Sequence, residues 1–332
     1  MTGYFLGIDV GSVSTDLVIM DGNGKIIAKQ YLRTQGAPIR TLTEGLKNFQ
    51  KEFAGIPISG VGTTGSGRQL AGVIVGADIV KNEITAHAVA SKKIMPDVHT
   101  ILEIGGQDSK IIFLKDGVVT DFAMNTVCAA GTGSFLDRQA ERLGIPIEHF
   151  GEYALRSENS TRIAGRCAVF AESDMIHKQQ MGYRTEDIIA GLCEALVRNY
   201  LGNLAKGKDI HSPVMFQGGV AANVGIAAAF EKALGTKVTI PPYYDVMGAY
   251  GAALLARWNY KKAGLPSRFY GFENAYSTFE TRSIECNGCG NRCEIIEVKS
   301  NGSIIARWGD RCGRWSNNGA ARPASVKEGT AS

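Results

Sequence analysis

The chain has 332 residues, of which 44% are hydrophobic and 20% charged, and its formal net charge is +4. This length suits two domains, and the small, evenly spread charge argues against nucleic acid as a partner. The sequence shows no membrane-spanning apolar segment and no signal-peptide layout, so we expect no membrane association and a cytoplasmic location. There, the seven cysteines are better explained as metal ligands or redox groups than as disulfides.

The first predicted elements form a unit that recurs later in the chain. An apolar run at 4–10 predicts a strand buried on both faces, and a second strand follows at 16–20 after a glycine turn. An Asp-Gly hairpin signal at 21–24 follows. Residues 100–122 repeat the order of strand, glycine turn, strand and Asp-Gly hairpin. The repeat predicts two similarly folded lobes that face each other.

Two glycine-containing segments match known phosphate motifs only superficially. Residues 60–65 match G-x-G-x-x-G, but Pro57 interrupts the preceding segment, so we predict a turn there and no dinucleotide site. Residues 202–209 nearly match a P-loop. However, Asp209 stands where a Mg²⁺-binding Ser or Thr is needed, and a helical stretch precedes the motif instead of a strand.

Three other glycine turns, at 7–16, 103–110 and 217–223, carry side chains suited to a nucleotide. Asp9 is expected to hold Mg²⁺ through water, and Gln107 and Asp108 are expected to orient an attacking water and the metal. These three are the candidate catalytic residues. The candidate cofactor-binding residues are Gly11, Ser12, Ser14, Thr15, Gly105, Gly106, Gly131, Gly133, Gly218, Gly219 and Asn223.

Taken in order, the three turns resemble the phosphate-1, phosphate-2 and adenosine motifs of the actin-like ATPase superfamily. The resemblance implies an α/β, two-lobed, actin-like (ribonuclease H-like) ATPase fold. Lobe I would span residues 1–98 and include a returning helix at 245–262, and lobe II would span 99–244. The small residues of the returning helix would let it pack closely against lobe I.

Two cysteines stand within this predicted ATPase core. Cys128 and Cys167 lie among small residues, and each precedes a stretch that is predicted to be helical. Helix N-termini favour thiolates and anionic clusters. Two cysteines supply half the ligands of a [4Fe–4S] cluster, and a symmetric dimer would supply the other half. The alternative is that both are ordinary small apolar residues of the core.

The strings N-T-V-C-A-A-G-T-G-S-F-L-D (125–137), C-A-V-F-A-E-S (167–173) and I-G-G-Q-D-S-K (104–110) resemble the activator family of 2-hydroxyacyl-CoA dehydratases. Relatives of that family are the ATPase subunits of benzoyl-CoA reductase and the reductases of double-cubane-cluster proteins. The resemblance runs from about residue 3 to about residue 260.

This family resemblance implies an oxygen-sensitive homodimer that binds MgATP and MgADP and holds one bridging [4Fe–4S] cluster. On this chain Cys128 and Cys167 would be the cluster ligands. The implied activity is transfer of a single low-potential electron, driven by ATP hydrolysis. The electron would pass from a ferredoxin or flavodoxin to a partner iron–sulfur enzyme.

The chain continues beyond the resemblance into a cysteine-rich extension at 274–315. A zinc knuckle and a second iron–sulfur cluster are the alternatives for its four thiolates, which belong to Cys286, Cys289, Cys293 and Cys312. Residues 316–332 are polar and predicted to be disordered. Cys193 lies in a helical pattern and is expected in the core.

Two other functions use the same nucleotide motifs. A small-molecule kinase of the superfamily would have no use for the cysteines, and no acceptor-binding aspartate stands out in the sequence. A chaperone-like or actin-like scaffold would use ATP only to switch binding. Electron transfer to a redox partner separates the activator from both, whereas phosphoryl transfer to a sugar or carboxylate would favour the kinase.

Overall fold

Two five-stranded sheets of equal topology form the body of the protein in the computed structural model, which describes residues 3–316. The first sheet contains β1 (Tyr4–Val10), β2 (Ser14–Asp21), β3 (Ile26–Arg33), β4 (Ile58–Thr64) and β5 (Ile79–Val80). The second contains β6 (Thr100–Ile104), β7 (Ser109–Lys115), β8 (Val118–Asn125), β9 (Val214–Gln217) and β10 (Val238–Thr239). The strand orders are β3-β2-β1-β4-β5 and β8-β7-β6-β9-β10, which confirms the internal repeat.

Each sheet begins with an antiparallel meander and continues with parallel strands. In lobe I, β1 pairs antiparallel with β2 and parallel with β4, and in lobe II β6 pairs antiparallel with β7 and parallel with β9. The registers of the two hairpins correspond. Asp9 lies opposite Asp16 in lobe I, and Glu103 lies opposite Lys110 in lobe II. The hairpins therefore present two matched pairs of charged residues.

Nine α-helices cover the two sheets within the described part of the chain. They are α1 (Pro38–Phe53), α2 (Arg68–Val75), α3 (Glu83–Ile94), α4 (Gly133–Leu143), α5 (Ile147–Leu155), α6 (Ala168–Gln180), α7 (Thr185–Leu204), α8 (Val224–Leu234) and α9 (Met247–Ala263). Helix α9 is the predicted returning helix, shifted by one or two residues from 245–262. Within residues 3–316, no helix combines the length and the apolar composition needed to cross a bilayer.

Helix α9 packs against the backbone of lobe I without intervening side chains. A Cβ on Gly62 of β4 would collide with the carbonyl oxygen of Ala252, and one on Gly7 of β1 would collide with that of Ala249. The prediction of a turn at 60–65 is therefore wrong, because residues 58–64 form a central strand. Its glycines make room for a helix.

The core of lobe II is built around α7. Leu192, Cys193 and Leu196 are fully buried there, which confirms the expectation that Cys193 belongs to the core. The Tyr200 hydroxyl donates a 2.6 Å hydrogen bond to the carbonyl oxygen of Lys110 and so fixes β7 against this helix. The near P-loop match at 202–209 lies at the end of α7 and follows no strand.

The C-terminal extension is a small antiparallel sheet of β11 (Phe279–Glu285), β12 (Glu294–Ser300) and β13 (Ser303–Trp308), in that order. Its first residue, Phe279, packs against the apolar core of lobe I. The tail predicted to be disordered at 316–332 lies outside the described residues except for Ser316.

Candidate functional site

A cavity of about 270 Å³ lies between the β1–β2 hairpin of lobe I and the β6–β7 hairpin of lobe II. We call it the acidic cavity, because six carboxylates line it together with Lys110; they belong to Asp9, Asp16, Glu83, Glu103, Asp108 and Asp245. Predicted residues that also line it are Gly11, Ser12, Ser14, Gly105, Gly106, Gln107, Gly218 and Gly219. All three candidate catalytic residues are thus brought to one cavity.

An adjoining cavity of about 400 Å³ shares seven lining residues with the acidic cavity, so the two form one cleft. Leu136, Ile147 and Val220 give this part an apolar wall, and the predicted residues Gly133 and Asn223 also line it. The Asn223 side-chain oxygen caps α8 by accepting from the N–H groups of the first helical turn, while its buried Nδ2 has no partner. This part of the cleft therefore offers an apolar wall.

Two predicted cofactor-binding residues do not line either cavity. Thr15 is fully buried, and its hydroxyl pairs with that of Thr34 at 3.0 Å. The reason is strand alternation, because Ser14 and Asp16 face the cavity and the side chain between them faces away. Gly131 lies instead against Asn199, next to the Cys128 loop. Neither residue lines the cleft, and their role in cofactor binding stays a prediction.

The glycine turns expose bare backbone to the cleft. Gly218 has a φ of +89°, a conformation that favours glycine, and a Cβ there would collide with the carbonyl oxygen of Ile104. A Cβ on Gly106 would lie 2.7 Å from the side chain of Val13 on the opposite lobe. Side chains at these positions would collide with the surrounding protein. Bare turns of this kind let backbone N–H groups approach a phosphate.

The lobe I hairpin presents two carboxylates of like charge to the cavity. Burial, followed by the charge of Glu83, raises the pKa of Asp9 to about 7. Burial and the charge of Asp9 raise the pKa of Asp16 well above its ordinary value. The buried Oδ1 of Asp16 has no hydrogen-bond partner. A buried carboxylate pair with an unpartnered oxygen fits a hard divalent cation such as Mg²⁺, which would relieve this repulsion.

The lobe II hairpin pairs its carboxyl group with an internal cation. Lys110 is buried and lies 3.1 Å from Glu103, 2.9 Å from Asp108 and 2.8 Å from Glu83. Burial alone would lower the pKa of Lys110, but the carboxylates outweigh it and raise that pKa. The ammonium group is therefore permanently charged. Because Glu83 lies on α3 of lobe I, the ion pair also joins the two lobes.

A second polar contact between the lobes lies beside Lys110. Gln217 at the end of β9 donates from Nε2 to Nδ1 of His87 at 2.9 Å and accepts from the Ser91 hydroxyl at 2.9 Å. Burial, followed by the charge of Lys110, lowers the pKa of His87 to about 4, so the imidazole is neutral and can accept. Helix α3 of lobe I is thus attached to two strands of lobe II directly under the cavity.

Sequence reasoning missed Lys110, Glu103, Glu83 and His87 as parts of the site. A signal for the first two was present, because each charged residue stands inside an otherwise apolar run, T-I-L-E-I and S-K-I-I-F-L. A charged residue in a buried strand requires a partner, and that requirement indicates a polar site. Glu83 and His87 carry no such local signal, since the tertiary packing of α3 brings them to the cavity.

Cys128 and Cys167, the two candidate cluster ligands, lie close together at the surface of lobe II. Cys167 is the N-cap residue of α6, and Cys128 precedes a 3₁₀ turn at Ala129–Gly131 that leads into α4. The Cys128 sulfur lies 3.9 Å from the carbonyl oxygen of Arg166 and 3.7 Å from Nδ2 of Asn199. That same amide donates to the Gly165 carbonyl at 2.7 Å. Asn199 on α7 therefore holds both cysteine loops together.

The surroundings of these thiols are exposed and apolar. Both cysteines are partly exposed, Val127 is 94% exposed, and Val169 and Phe170 are each 69% exposed. An exposed apolar patch thus surrounds the two thiols at the starts of two helices. Such patches are typical of surfaces that another protein covers, and covering this one would place the sulfurs in a low-dielectric environment.

Hydrogen bonds connect the Cys128 loop to the cleft. Helix α4 begins on the second glycine turn, since Gly133 N donates to Gly105 O and Ser134 N donates to Gly106 O, both at 2.8 Å. Thr126, two residues before Cys128, lines the acidic cavity. The backbone of the glycine turn is therefore hydrogen-bonded to the start of the helix that follows the Cys128 loop.

The four cysteines of the extension lie at one end of its sheet. Cys286, Cys289 and Cys293 occupy the loop between β11 and β12, and Cys312 follows β13. The described residues 3–316 contain no group of three Cys, His, Asp or Glu side chains that already has the spacing of metal ligands.

Two sheets of equal topology, with a glycine-lined cleft between them and paired carboxylates at its base, define an actin-like ATPase. Within this class, the chain belongs to the BadF/BadG/BcrA/BcrD ATPase family, whose profile matches residues 6–256. This confirms the family resemblance, and the match ends before the C-terminal extension.

Three comparisons place the chain among named relatives. It is 38% identical over 269 residues to the (R)-2-hydroxyglutaryl-CoA dehydratase activating ATPase of Acidaminococcus fermentans, covering 79% of this chain and 99% of that one. The crystal structure of component A of that dehydratase superimposes with a TM-score of 0.71 at 36% identity, covering 80% and 100% of the two chains. The activator of 2-hydroxyisocaproyl-CoA dehydratase from Clostridium difficile, solved with bound ADPNP, gives 0.70 at 33% identity, covering 79% and 97%.

Proposed function

We propose that this protein is an ATP-hydrolysing activator that delivers single low-potential electrons to a partner iron–sulfur enzyme. The acceptor would be a 2-hydroxyacyl-CoA dehydratase-like or double-cubane-cluster protein, and the donor a ferredoxin or flavodoxin. The observation that carries the proposal is the direct attachment of the Cys128 segment to the Gly105–Gly106 turn of the cleft. Relatives with 38% and 33% identity are named as activators of dehydratases, which supports the role.

The chemistry of the cleft walls supports nucleotide binding there. The phosphates would bind to backbone N–H groups of the bare turns at Gly11, Gly105–Gly106 and Gly218–Gly219. The nucleoside would bind in the adjoining cavity. Asp9 and Asp16 would hold Mg²⁺, which supplies charge neutralisation at the phosphates. Gln107 is exposed at the cavity edge, where its amide would orient the attacking water.

Cys128 and Cys167 would hold one [4Fe–4S] cluster together with the same two residues of a second copy. Their partial exposure on one face and the apolar side chains around them fit a cluster on a twofold axis. When bound, the cluster supplies one-electron chemistry at low potential. The chain's own contribution is to orient both thiolates at helix N-termini and to cover them with Val127, Val169 and Phe170 from each copy.

ATP is required because electron delivery to a low-potential acceptor is energetically uphill. A bound nucleotide can bias a conformational equilibrium only through contacts that differ between its states. The glycine turn is such a contact, since the same backbone faces the phosphates and receives the N-terminus of α4. Movement of this turn would reorient α4, and with it the sulfur of Cys128, relative to Cys167.

The test is the metal content and oligomeric state of protein purified without oxygen. About two irons per chain and a dimeric mass are expected for the wild type. Cys128→Ser and Cys167→Ser should each lose the iron, while Cys193→Ala, which alters a buried core cysteine, should retain it. Nucleotide binding measured by calorimetry should be unchanged in all four proteins and serves as the folding control.

The function itself is tested by adding a dehydratase of the 2-hydroxyacyl-CoA class with reduced ferredoxin. Acceptor reduction should require ATP and should disappear in both cysteine variants. Absence of iron in the anaerobic wild type, or acceptor reduction without ATP, would refute the proposal. Phosphoryl transfer to a small-molecule acceptor would instead favour a kinase.

A further inference from the structure

The family match ends at residue 256, and the cysteine-rich sheet beyond it is part of neither lobe. We propose that this sheet holds one structural zinc ion, bound by the thiolates of Cys286, Cys289, Cys293 and Cys312. The inference is independent of the proposed function, because it rests only on the extension.

Strand topology brings the four cysteines to the same end of the sheet. Cys286 follows the last residue of β11 and Cys293 precedes the first residue of β12, and the Cys286 N–H donates to the Cys293 carbonyl at 2.8 Å. Cys289 lies in the loop between them. Strand β13 ends at this same edge, since Trp308 lies opposite Ile296 near the start of β12, and Cys312 follows four residues later. Two short loops thus supply four thiols.

The sulfur of Cys286 already has the environment of a metal thiolate. It accepts a hydrogen bond from the indole Nε1 of Trp315 at 3.2 Å, and Gly288 lies beside it. Sulfur is a weak acceptor in its thiol form, and an N–H donor on the sulfur is typical of the outer shell around a bound thiolate. The turn C-N-G-C-G has the Cys-x-x-Cys spacing of a zinc site.

Charge around the loops complements a tetrathiolate centre. Zinc with four thiolates has a net charge of two minus, which requires nearby cations. The two loops contain three cations, Arg292, Arg311 and Arg314, and one carboxylate, Asp310. Arg314 lies against Gly288 of the knuckle.

The sheet is too small to be stabilised by its apolar core. Between residues 279 and 316 the buried apolar side chains are those of Cys286, Ile295, Val298 and Ile305. The centre also contains Glu297, fully buried and paired with Arg282 at 3.2 Å and Arg307 at 2.7 Å. A domain of this size usually needs a disulfide or a metal ion. A zinc ion would supply the missing stabilisation, because its binding energy becomes folding energy.

Cys289 and Cys312 are exposed and Cys293 is partly exposed, whereas Cys286 is buried. Within residues 3–316, no three potential ligand side chains are already arranged to coordinate one metal ion. The exposed cysteine side chains must therefore turn toward Cys286 when the ion binds. Closure of four thiolates leaves no open coordination position, as in structural rather than catalytic zinc sites.

The experiment measures zinc and iron per chain in full-length protein purified anaerobically with zinc and iron both supplied. About one zinc per chain is expected, in addition to any iron at Cys128 and Cys167. Cys289→Ser and Cys312→Ser should each lose the zinc and leave the iron unchanged. Cys128→Ser and Cys167→Ser are the matched controls and should retain the zinc.

Substitution of zinc by Co²⁺ provides a second readout that does not depend on these variants folding. The wild type should show the intense visible absorption of tetrahedral cobalt with thiolate ligands, and removal of the metal should make the segment after residue 266 sensitive to protease while the lobes stay resistant. Iron in place of zinc in the Cys128→Ser protein would overturn the proposal in favour of a second cluster. No metal in the extension, with protease resistance unchanged by chelator, would overturn it outright.

Discussion

The two lobes share topology and register, yet their hairpins differ in charge. In lobe I Asp9 lies opposite Asp16, and in lobe II Glu103 lies opposite Lys110 at the corresponding positions. Burial raises the pKa of Asp9 to about 7 and that of Glu103 to about 8. Among the described residues of the two hairpins, the ion pair between opposite strands is that of Glu103 and Lys110 in lobe II. The comparison favours the proposed Mg²⁺ site in lobe I, whereas lobe II uses the corresponding position to join the lobes.

A second difference lies in the connection between the third and fourth strand of each sheet. In lobe I this connection contains the single helix α1, whereas in lobe II it runs from residue 126 to 213 and contains α4 to α7. Cys128 and Cys167 both lie in the longer connection. The common part of the repeat thus builds the cleft, and the inserted part carries the thiols.

The charge difference between the two hairpins is tested most sharply by comparing ATP hydrolysis in the Asp9→Asn and Glu103→Gln variants. Loss of the cation-binding carboxylate in lobe I should lower Mg²⁺-dependent ATP hydrolysis about a thousandfold, or about 4 kcal/mol of barrier. The matched Glu103→Gln change should lower hydrolysis far less, since Lys110 retains Glu83 and Asp108 as partners. Steady-state hydrolysis at saturating Mg²⁺ measures both. Equal losses in the two variants would show that the hairpins have the same role.

Lys110→Met should destabilise the protein by about 3–5 kcal/mol, because it leaves three carboxylates near the cavity without a buried partner. The free energy of unfolding in urea measures the loss. Adding Glu103→Gln in the same chain should recover part of it, since one unpaired charge is then removed. A double variant as unstable as the sum of both single variants would contradict the proposed pairing.

The lowered pKa of His87 predicts that the stability of the protein depends on pH. Its pKa is about 4 in the folded protein and about 6.5 in an unfolded chain, so the unfolded state binds more protons between these values. Stability should therefore fall as the pH drops from about 6.5 to about 4, by up to about 3 kcal/mol. The groups that face the ring are Lys110, Glu83 and Gln217.

The raised pKa values of Asp9 and Glu103 act in the opposite direction, so the His87 contribution is best measured as a difference. His87→Gln removes the titrating group. The variant should lose less stability than the wild type between pH 6.5 and pH 4 in parallel urea titrations. Parallel pH profiles for the two proteins would rule out His87 as the titrating group.

Of the substitutions considered, Glu172→Gln should have the smallest effect on the free energy of unfolding. Glu172 on α6 pairs with Arg138 at 3.1 Å and also with Arg142, both on α4, so it joins the helices that follow the two cysteines. The arginines are largely exposed, and the stability loss should stay below about 1 kcal/mol. A larger change is expected in the ATP dependence of acceptor reduction than in the unfolding free energy. Unchanged ATP dependence would show that this contact does not couple the helices.

Much of the fold could be predicted from local sequence signals. The two Asp-Gly hairpins and the glycine turns report backbone geometry directly, and so they indicated both lobes and the positions of Asp9, Gly105 and Gly218. The strand at 58–64 could not be predicted, since Pro57 and its glycines argue against a strand. Those glycines are explained only by the backbone of α9, which is distant in sequence.

The candidate site could be predicted in part. Residues contributed by the turns were identified, because each turn carries its own chemistry. The Lys110 cluster was missed, since it depends on α3 of one lobe reaching a strand of the other. Thr15 was assigned to the cleft, whereas the register of β2 directs its hydroxyl to Thr34, so its binding role stays a prediction. Strand alternation from the first residue of β2 would have indicated that this side chain faces away from the cavity.

The bare contact between α9 and the strands of lobe I has a mechanical consequence. Glycine backbone lies directly on helix backbone at Gly7 and Gly62, and Gly251 of α9 meets the carbonyl oxygen of Ala86 on α3 in the same way. No flexible side chains lie at these contacts to absorb a displacement. Strands β1 and β4 and helices α3 and α9 must therefore move as one stiff block. Because the Lys110–Glu83 ion pair joins α3 to β7, any displacement of lobe II against this block must break that pair or carry the block along.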